Sequence, residues 1–211
     1  MTNEQSYEIE IRFCVARPEE AYALLPFLEQ SLGAPKVWAT EIVGRAIYES
    51  GRLLRLGRVP PEGNTHYYLG YKGEDIGTVA NIRQEWGDEI TAGIEQSAIL
   101  ANLGLTGAYP THAAVVDALR AAGHELFMGF AGVDRLGYYA PLEIHTKLCQ
   151  CAAILDEQFL IELEMNATSL EDARTAERQL LALAEEYGIR DRLFLDEPPT
   201  MLYQRTFGRD G

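Results

Sequence analysis

Apolar and charged residues alternate along two well-separated segments of this sequence. The first, Tyr7–Cys14, reads Y-E-I-E-I-R-F-C, and the second, Phe159–Met165, contains I-E-L-E-M. Because successive side chains of a strand point to opposite faces, each segment is predicted to be a strand with one apolar and one charged face. Either segment alone is typical of a half-buried strand whose charges lie in water.

Further strands are predicted between these two, separated by turns that are rich in glycine, proline and acidic residues. Because most of the connections are short, neighbouring strands are expected to be antiparallel. The remaining predicted strands are Val37–Tyr48, Leu53–Val59, His66–Lys72, Gly77–Trp86, Glu125–Ala131 and Gly137–Leu155.

Helical periodicity is confined to fewer segments. Pro18–Glu20 suits the first turn of a helix, and Thr168 or Ser169 is a good cap for a long amphipathic helix that runs to about Tyr187. Other helices are predicted over Glu89–Leu103, over Pro110–Ala122 and after Pro198. Many strands with few helices and no long linker predict a single α+β domain over residues 1–211, built on an antiparallel sheet or barrel.

Charged residues recur on the predicted strands. Arg55 and Arg58 follow leucine or glycine, Lys72 ends a strand, and Arg83 and Glu85 are two positions apart. Strands normally disfavour charge, so repeated charged faces of both signs indicate a shared polar interior. Carboxylates in such an interior suit a hard divalent cation such as magnesium, and arginine or lysine suits phosphate oxygens.

In this order, the charged segments resemble the motifs of the CYTH superfamily, also called triphosphate tunnel metalloenzymes. Its motif E-x-E-x-K corresponds to Glu8–Arg12, L-R-x-R to Leu54–Arg58, L-T-x-K-G to Leu69–Gly73, R-x-E to Arg83–Glu85, and the closing E-x-E to Glu162–Glu164. Each motif is weak alone, and the resemblance depends on their order and spacing over about residues 6–205.

The resemblance implies an eight-stranded antiparallel closed β-barrel that forms a tunnel, with helices packed outside. It also implies a divalent cation, magnesium or manganese, in that tunnel. The implied metal ligands are Glu8, Glu10, Glu162 and Glu164, the implied phosphate-binding residues are Arg12, Arg55, Arg58, Lys72, Arg83 and Arg135, and the implied catalytic residues are Glu8, Glu10 and Glu85.

Several positions depart from the family pattern. Arg12 replaces the usual lysine of the first motif, which keeps the charge but changes its shape and hydration. Gly57 stands where many members have another arginine, Val133 replaces the lysine of a later K-x-R pattern, and Ala152 stands near an expected acidic position. The sequence does not determine whether the side chain of Lys147 points into or out of the tunnel. The tunnel is therefore expected to keep its acids but only part of its phosphate clamp.

Three functions are compatible with these residues. The first is a metal-dependent phosphohydrolase that acts on inorganic triphosphate, thiamine triphosphate or a nucleoside triphosphate. The second is a class IV adenylyl cyclase, which makes cyclic AMP and pyrophosphate from ATP. The third is a divergent member that binds a compact anion or runs altered chemistry. Hydrolysis and cyclisation need the same clamp, so the motifs do not separate them.

Net charge limits the partners. The 211 residues include 18 Lys plus Arg and 32 Asp plus Glu, which gives a net charge of −14. Such a charge disfavours nucleic-acid polymers and anionic membranes at long range. If the basic residues line the interior, an acidic outer surface still admits a small triphosphate. The sequence leaves a homodimer open.

The cysteines and the lack of targeting patterns indicate the cellular compartment. The three cysteines, Cys14, Cys149 and Cys151, form no disulfide framework, which favours a reducing compartment. No secretory signal pattern and no apolar run of membrane-spanning length is visible. A cytoplasmic location is therefore expected.

Overall fold

The computed structural model describes residues 6–60 and 65–208. These residues form eight strands: β1 (Ser6–Val15), β2 (Leu32–Val43), β3 (Leu53–Val59), β4 (His66–Lys72), β5 (Asn81–Glu89), β6 (Leu126–Tyr139), β7 (Ile144–Gln150) and β8 (Phe159–Ala167). The strands neighbour one another in the order β1-β5-β4-β3-β2-β6-β7-β8 and close into a barrel. The pairs β1–β8, β2–β3, β3–β4, β4–β5, β6–β7 and β7–β8 are antiparallel. The predicted closed antiparallel barrel is confirmed.

Helices accompany the barrel at several points of the chain. They are α1 (Pro18–Leu24), α2 (Phe27–Ser31), α3 (Arg45–Glu49), α4 (Ala98–Asn102), α5 (His112–Ala121), α6 (Ala152–Leu155), α7 (Leu170–Glu186) and α8 (Pro198–Phe207). Helix α7 begins as predicted, with the Ser169 hydroxyl accepting a hydrogen bond from the Asp172 amide at 3.1 Å. Among the residues described, none of the helices combines the length and apolar character of a membrane span.

The chain divides into two compact units. The first unit consists of Trp38–Asp75 and Gln84–Ala131, and the second of Ser6–Val37, Ile76–Arg83 and Gly132–Gly211, apart from the residues outside the described part.

In the second unit, the apolar face of β1 packs against α7. Ile9, Ile11 and Phe13 belong to one buried cluster with Ala173 and Leu180 of that helix. Burial of side chains of this size contributes about 1.5–3 kcal/mol each, so this contact fixes which face of β1 points outward. The charged face of β1 must then point into the barrel, because the strand period is two.

In the first unit, helices cover the outer face of β3 and β4 in the same way. Leu54 and Leu69 are fully buried with Ile99, Val115 and Leu119 from α4 and α5. This cluster places the alternate positions of β3 and β4 on the inner face.

Element boundaries differ from prediction where turns and helices replace expected strand. Strand β2 begins at Leu32 instead of Val37 and ends before Gly44, whose φ of 74° stops the strand and starts α3. Strand β6 joins the predicted strand Glu125–Ala131 to the first residues of the predicted strand Gly137–Leu155, whose later residues form β7 after a short turn at Ala140–Leu142. Helix α6 replaces the last residues of the predicted strand that ended at Leu155, and the predicted helix Glu89–Leu103 is helical only in α4.

Candidate functional site

Two rows of side chains cross the inner face of the second unit. Register places Arg12 of β1 opposite Glu162 of β8, Glu162 opposite Lys147 of β7, and Lys147 opposite Leu136 of β6. Cross-strand partners share a face of the sheet, so these four side chains form one row, called here the arginine row.

The next row along the barrel wall, the glutamate row, lies two positions away on each strand. Its members are Glu10, Glu164, His145 and Tyr138. Glu8 follows opposite Asn166, and the Asn166 side chain donates to Glu164 at 2.9 Å. The predicted acids Glu8, Glu10, Glu162 and Glu164 therefore share one face, and the first three are buried.

Arg12 is the centre of the arginine row and is only 1% exposed. Its Nη2 lies 2.6 Å from Glu10 Oε2, and its Nε lies 3.4 Å from Glu162 Oε1. Its Nη1 donates to the Asn81 side chain at 2.5 Å and to the Leu195 carbonyl at 2.7 Å. Although burial opposes the charge, the surrounding carboxylates raise the pKa of Arg12 above its ordinary value.

Lys147 is the second cation of the arginine row. Its Nζ forms an ion pair with Glu162 and lies 3.9 Å from Asp134 Oδ2. Burial opposes its charge, but Glu162 and Asp134 raise the pKa of Lys147 well above its ordinary value. Burial likewise raises the pKa of Glu162, but Lys147 and Arg12 outweigh that effect and lower it to about 2. The ion pair is therefore fully charged at neutral pH.

Glu197, which the sequence patterns do not single out, brings a further carboxylate to Arg12. It directly precedes α8, its Oε1 lies 3.3 Å from Arg83 Nε and 4.0 Å from Arg12 Nη2, and it is 6% exposed. The backbone positions this segment, because the Phe194 amide donates to the Arg12 carbonyl at 3.2 Å. An acidic residue before Pro-Pro is the only signal in the sequence, and it indicates a helix start without indicating a partner.

We call the group formed by Glu10, Arg12, Arg83, Asp134, Lys147, Glu162 and Glu197 the carboxylate cluster. It unites Arg12, Arg83, Glu10 and Glu162, which the motifs predicted together, with three residues that they did not predict. Glu10 and Glu162 come within hydrogen-bonding reach of one another. Two carboxylates this close repel each other, and the neighbouring cations offset that repulsion.

The first unit holds a second charged group on its inner face. Arg55 Nη2 donates to Glu85 Oε1 at 2.7 Å, and Lys72 is opposite Glu85 in the register of β4 and β5. Lys72 is buried, whereas the Arg55 side chain is 41% exposed. Gly70 makes room for the guanidinium, since a Cβ there would lie 2.9 Å from Arg55 Nε. Three predicted site residues are thus together here.

The expected inward placement of Arg135 and Arg58 is wrong. Arg135 is opposite Leu148, on the face covered by the apolar cluster, and its guanidinium donates to the Gly33 carbonyl at 2.9 Å and to the Tyr22 hydroxyl at 2.8 Å. Arg58 is opposite Tyr67, which packs against the helices of the first unit. Each arginine is an odd number of positions from the inward residue of its strand, so it points outward.

Arg58 instead lines a cavity of about 490 Å³ within the first unit. Tyr67 and His112 form part of its wall, with their rings stacked at 3.8 Å, and Glu41 also lines it. This cavity contains none of the other predicted site residues.

A resident divalent ion does not fit the carboxylate cluster as it stands. The donor chemistry is suitable, because carboxylate oxygens are the ligands that magnesium and manganese prefer. However, within residues 6–60 and 65–208 no three Asp, Glu, His or Cys side chains converge in a geometry that could hold a metal ion. Arg12 and Lys147 already contact one carboxylate oxygen of Glu10 and both of Glu162.

Comparison with known proteins supports the fold. No family model and no curated protein matches the sequence. Among solved structures, the PH1819 protein of Pyrococcus horikoshii OT3 matches with a TM-score of 0.68 at 14% identity, over 94% of this chain and 99% of that one. A candidate adenylate cyclase from Vibrio parahaemolyticus matches with a TM-score of 0.66 at 14% identity, over 93% and 97% of the two chains.

HpAC1 from Hippeastrum, a candidate adenylyl cyclase described as having a dominant triphosphatase activity, also matches. Its TM-score is 0.53 at 18% identity, over 86% of this chain and 88% of that one. Sequence identity this low shows the fold alone. The chain shares the closed antiparallel barrel fold of these solved structures, the fold that its motif order implied.

Proposed function

We propose that this protein is a triphosphatase that hydrolyses a small triphosphate, supplied as its complex with magnesium or manganese. The observation that carries the proposal is the carboxylate cluster, in which buried acids and arginines occupy the inner-face positions of this fold. The triphosphatase activity described for HpAC1, which has the same fold, supports the choice of reaction.

Phosphoryl transfer needs mainly positioning and charge neutralisation, and the inner faces offer both. We assign phosphate contacts to Arg55 and Lys72 in the first unit and, by itself, to Arg83 in the second unit. Glu85 holds Arg55 in place through its 2.7 Å ion pair. Arg12 donates from Nη1 to Asn81 and Leu195, and its Nη2 and Nε face the carboxylates of Glu10, Glu162 and Glu197. We therefore assign it a structural role in the cluster instead of a phosphate contact.

The acids of the inner face are assigned to the metal carried by the substrate and to the attacking water. Glu8, Glu10 and Glu164 lie on the glutamate row or next to it, beyond the arginine row, and Glu162 lies within the arginine row. A carboxylate among these four can accept the proton of a water molecule that attacks the terminal phosphorus of the substrate. Cys14, Cys149 and Cys151 are not joined in disulfides, which is consistent with our assignment of the protein to the cytoplasm.

A class IV adenylyl cyclase is the second candidate. The observation that favours it is an aromatic surface on the glutamate row: the Tyr138 and His145 rings are 4.9 Å apart, and Tyr138 is 49% exposed. Such a surface can stack with a nucleobase. The similarity to the Vibrio candidate cyclase is in fold only.

An assay with tripolyphosphate, thiamine triphosphate and ATP, each with magnesium or manganese, tests the proposal. Release of orthophosphate supports the triphosphatase, whereas cyclic AMP with pyrophosphate would establish the cyclase. Binding of these compounds without turnover would leave a binding protein and refute both enzyme assignments.

Variants of the proposed phosphate contacts sharpen the assay. Arg83→Gln is expected to lower kcat/KM by at least about a hundredfold, because it removes one positive charge from the bound phosphates. Arg178→Gln removes an equal charge from the exposed surface of α7 and is expected to leave kcat/KM unchanged. Equal activity of the two variants would exclude Arg83 from the phosphate site.

A further inference from the structure

The carboxylate cluster already contains a nearly balanced set of charges. Its four acids are Glu10, Asp134, Glu162 and Glu197, and its three cations are Arg12, Arg83 and Lys147. The sum of −4 and +3 leaves a net charge of −1. The three cations thus neutralise all but one of the four carboxylate charges without an added ion, as the burial of these groups requires.

The cations of the cluster lie where a shared metal ion would have to bind. Arg12 Nη2 and Nε reach Glu10 Oε2 and Glu162 Oε1, and Lys147 takes the other oxygen of Glu162. Arg12 thus bridges the carboxylates of Glu10 and Glu162. An ion that bridged the same two carboxylates would have to displace the buried guanidinium.

Arg12 is also held from outside the cluster of acids. The Asn81 side chain and the Leu195 carbonyl accept hydrogen bonds from its Nη1 at 2.5 Å and 2.7 Å. A planar guanidinium whose Nη1 donates to two acceptors does not swing aside without leaving those acceptors unmatched. The arrangement therefore resists replacement of Arg12 by a spherical ion.

We infer that Arg12 and Lys147 are the resident cations of this cluster, in the place that the motif resemblance gives to a divalent metal. The free protein then binds no divalent ion between Glu10 and Glu162, and any metal needed for catalysis arrives with the ligand. The inference concerns the ligand-free protein and stands whether or not the protein hydrolyses triphosphates.

A manganese titration of the ligand-free protein at about pH 7 tests the inference. Bound manganese is measured as the loss of the electron paramagnetic resonance signal of the free ion. The wild type is expected to show only weak binding by surface acids. Lys147→Gln is expected to gain about one site per chain where the ammonium lay, beside Glu162 and Asp134 and away from Arg12. This site should be at least about tenfold tighter than the wild-type background, since removing the ammonium frees a Glu162 oxygen and one unit of charge. Arg178→Gln is the control and is expected to match the wild type.

Either of two results would overturn the inference. One is a tight manganese site in the wild type that Glu10→Gln abolishes, a measurement that does not depend on the folding of any Lys147 variant. The other is a folded Lys147→Gln protein that binds manganese no better than the wild type. Because no substrate is present, neither result depends on the triphosphatase assay.

Discussion

Arg12 connects parts of the chain that are far apart in sequence. Its side chain contacts residues of β1, β5, β8 and the segment before α8, and almost none of it is exposed. A buried charge is tolerated only when its partners are in place, so each partner supports the others. The most informative substitutions are therefore those that remove one partner and keep its shape.

Glu197→Gln is the first of these. The amide keeps the size of the side chain but removes the charge that faces Arg83 and Arg12, so we expect the free energy of unfolding to fall by about 1–3 kcal/mol. Urea denaturation measures the change. Glu157→Gln, in the exposed turn before β8, is the matched control and is expected to change stability by less than about 0.5 kcal/mol. Similar values for both variants would contradict the role given to Glu197.

The lowered pKa of Glu162 predicts how the free energy of unfolding depends on pH. Its pKa is lowered from 4.5 to about 2 in the folded protein. A depressed folded-state pKa stabilises the fold above the unfolded-state value, and this contribution is lost as pH falls from about 4.5 toward 2. The contribution is on the order of 3 kcal/mol.

Denaturation of the wild type and Glu162→Gln over this range measures that loss. The stability difference between the two proteins is expected to stay constant above about pH 5 and to shrink by up to about 3 kcal/mol at lower pH, as Glu162 becomes protonated. The difference between the wild type and Glu157→Gln should stay flat. A Glu162→Gln difference that does not vary with pH would show that the carboxylate has an ordinary pKa.

At the scale of elements, β6 shows what alternation predicts and what it misses. Period two is clear in β1 and β8, and their inward acids follow from the sequence directly. Strand β6 lacks that alternation, so the motif pattern assigned Arg135 to the inner face, where the register places Asp134. Glu197 was missed for another reason: it reaches the barrel through a tertiary contact of an irregular segment, which no local periodicity encodes.

Close packing around Gly137 of β6 leads to a prediction about stability. A Cβ at this position would lie 2.3 Å from the Ser31 carbonyl oxygen and 2.7 Å from Thr146 Oγ1, so the backbone would have to shift. We expect Gly137→Ala to destabilise the protein by about 1–3 kcal/mol. Gly87, in β5, has no atom within 4 Å of such a Cβ, and Gly87→Ala is expected to be neutral or slightly stabilising. Urea unfolding midpoints compare the two, and equal midpoints would refute the packing argument.

At the scale of the whole molecule, the charge of −14 and the inward cations act at different distances. Long-range repulsion is screened by salt within about 10 Å at 0.1 M, whereas contacts between buried groups are screened much less. The proposed function therefore has an unusual expected dependence on salt.

Association of tripolyphosphate is expected to become faster as ionic strength rises from about 10 to about 150 mM, because salt weakens the repulsion by the acidic chain. Stopped-flow measurements, in which tripolyphosphate competes with a fluorescent triphosphate for the protein, give the association rate constant. A rate that falls steeply with salt, as for proteins that steer polyanions by a basic surface, would contradict this expectation. An uncharged competitor of similar size should show no dependence and serves as the control.

The contact between Arg12 and Leu195 spans 183 positions of the chain. During synthesis, β1 leaves the ribosome long before the segment that carries Leu195 and Glu197, so a guanidinium destined for burial waits without those partners while the rest of the barrel is made. Pairings of such large separation form slowly, since the intervening chain must close before they stabilise anything. Closure of the barrel around Arg12 should accordingly be a late event in folding, and a nascent chain halted before residue 190 should keep this arginine accessible to solvent.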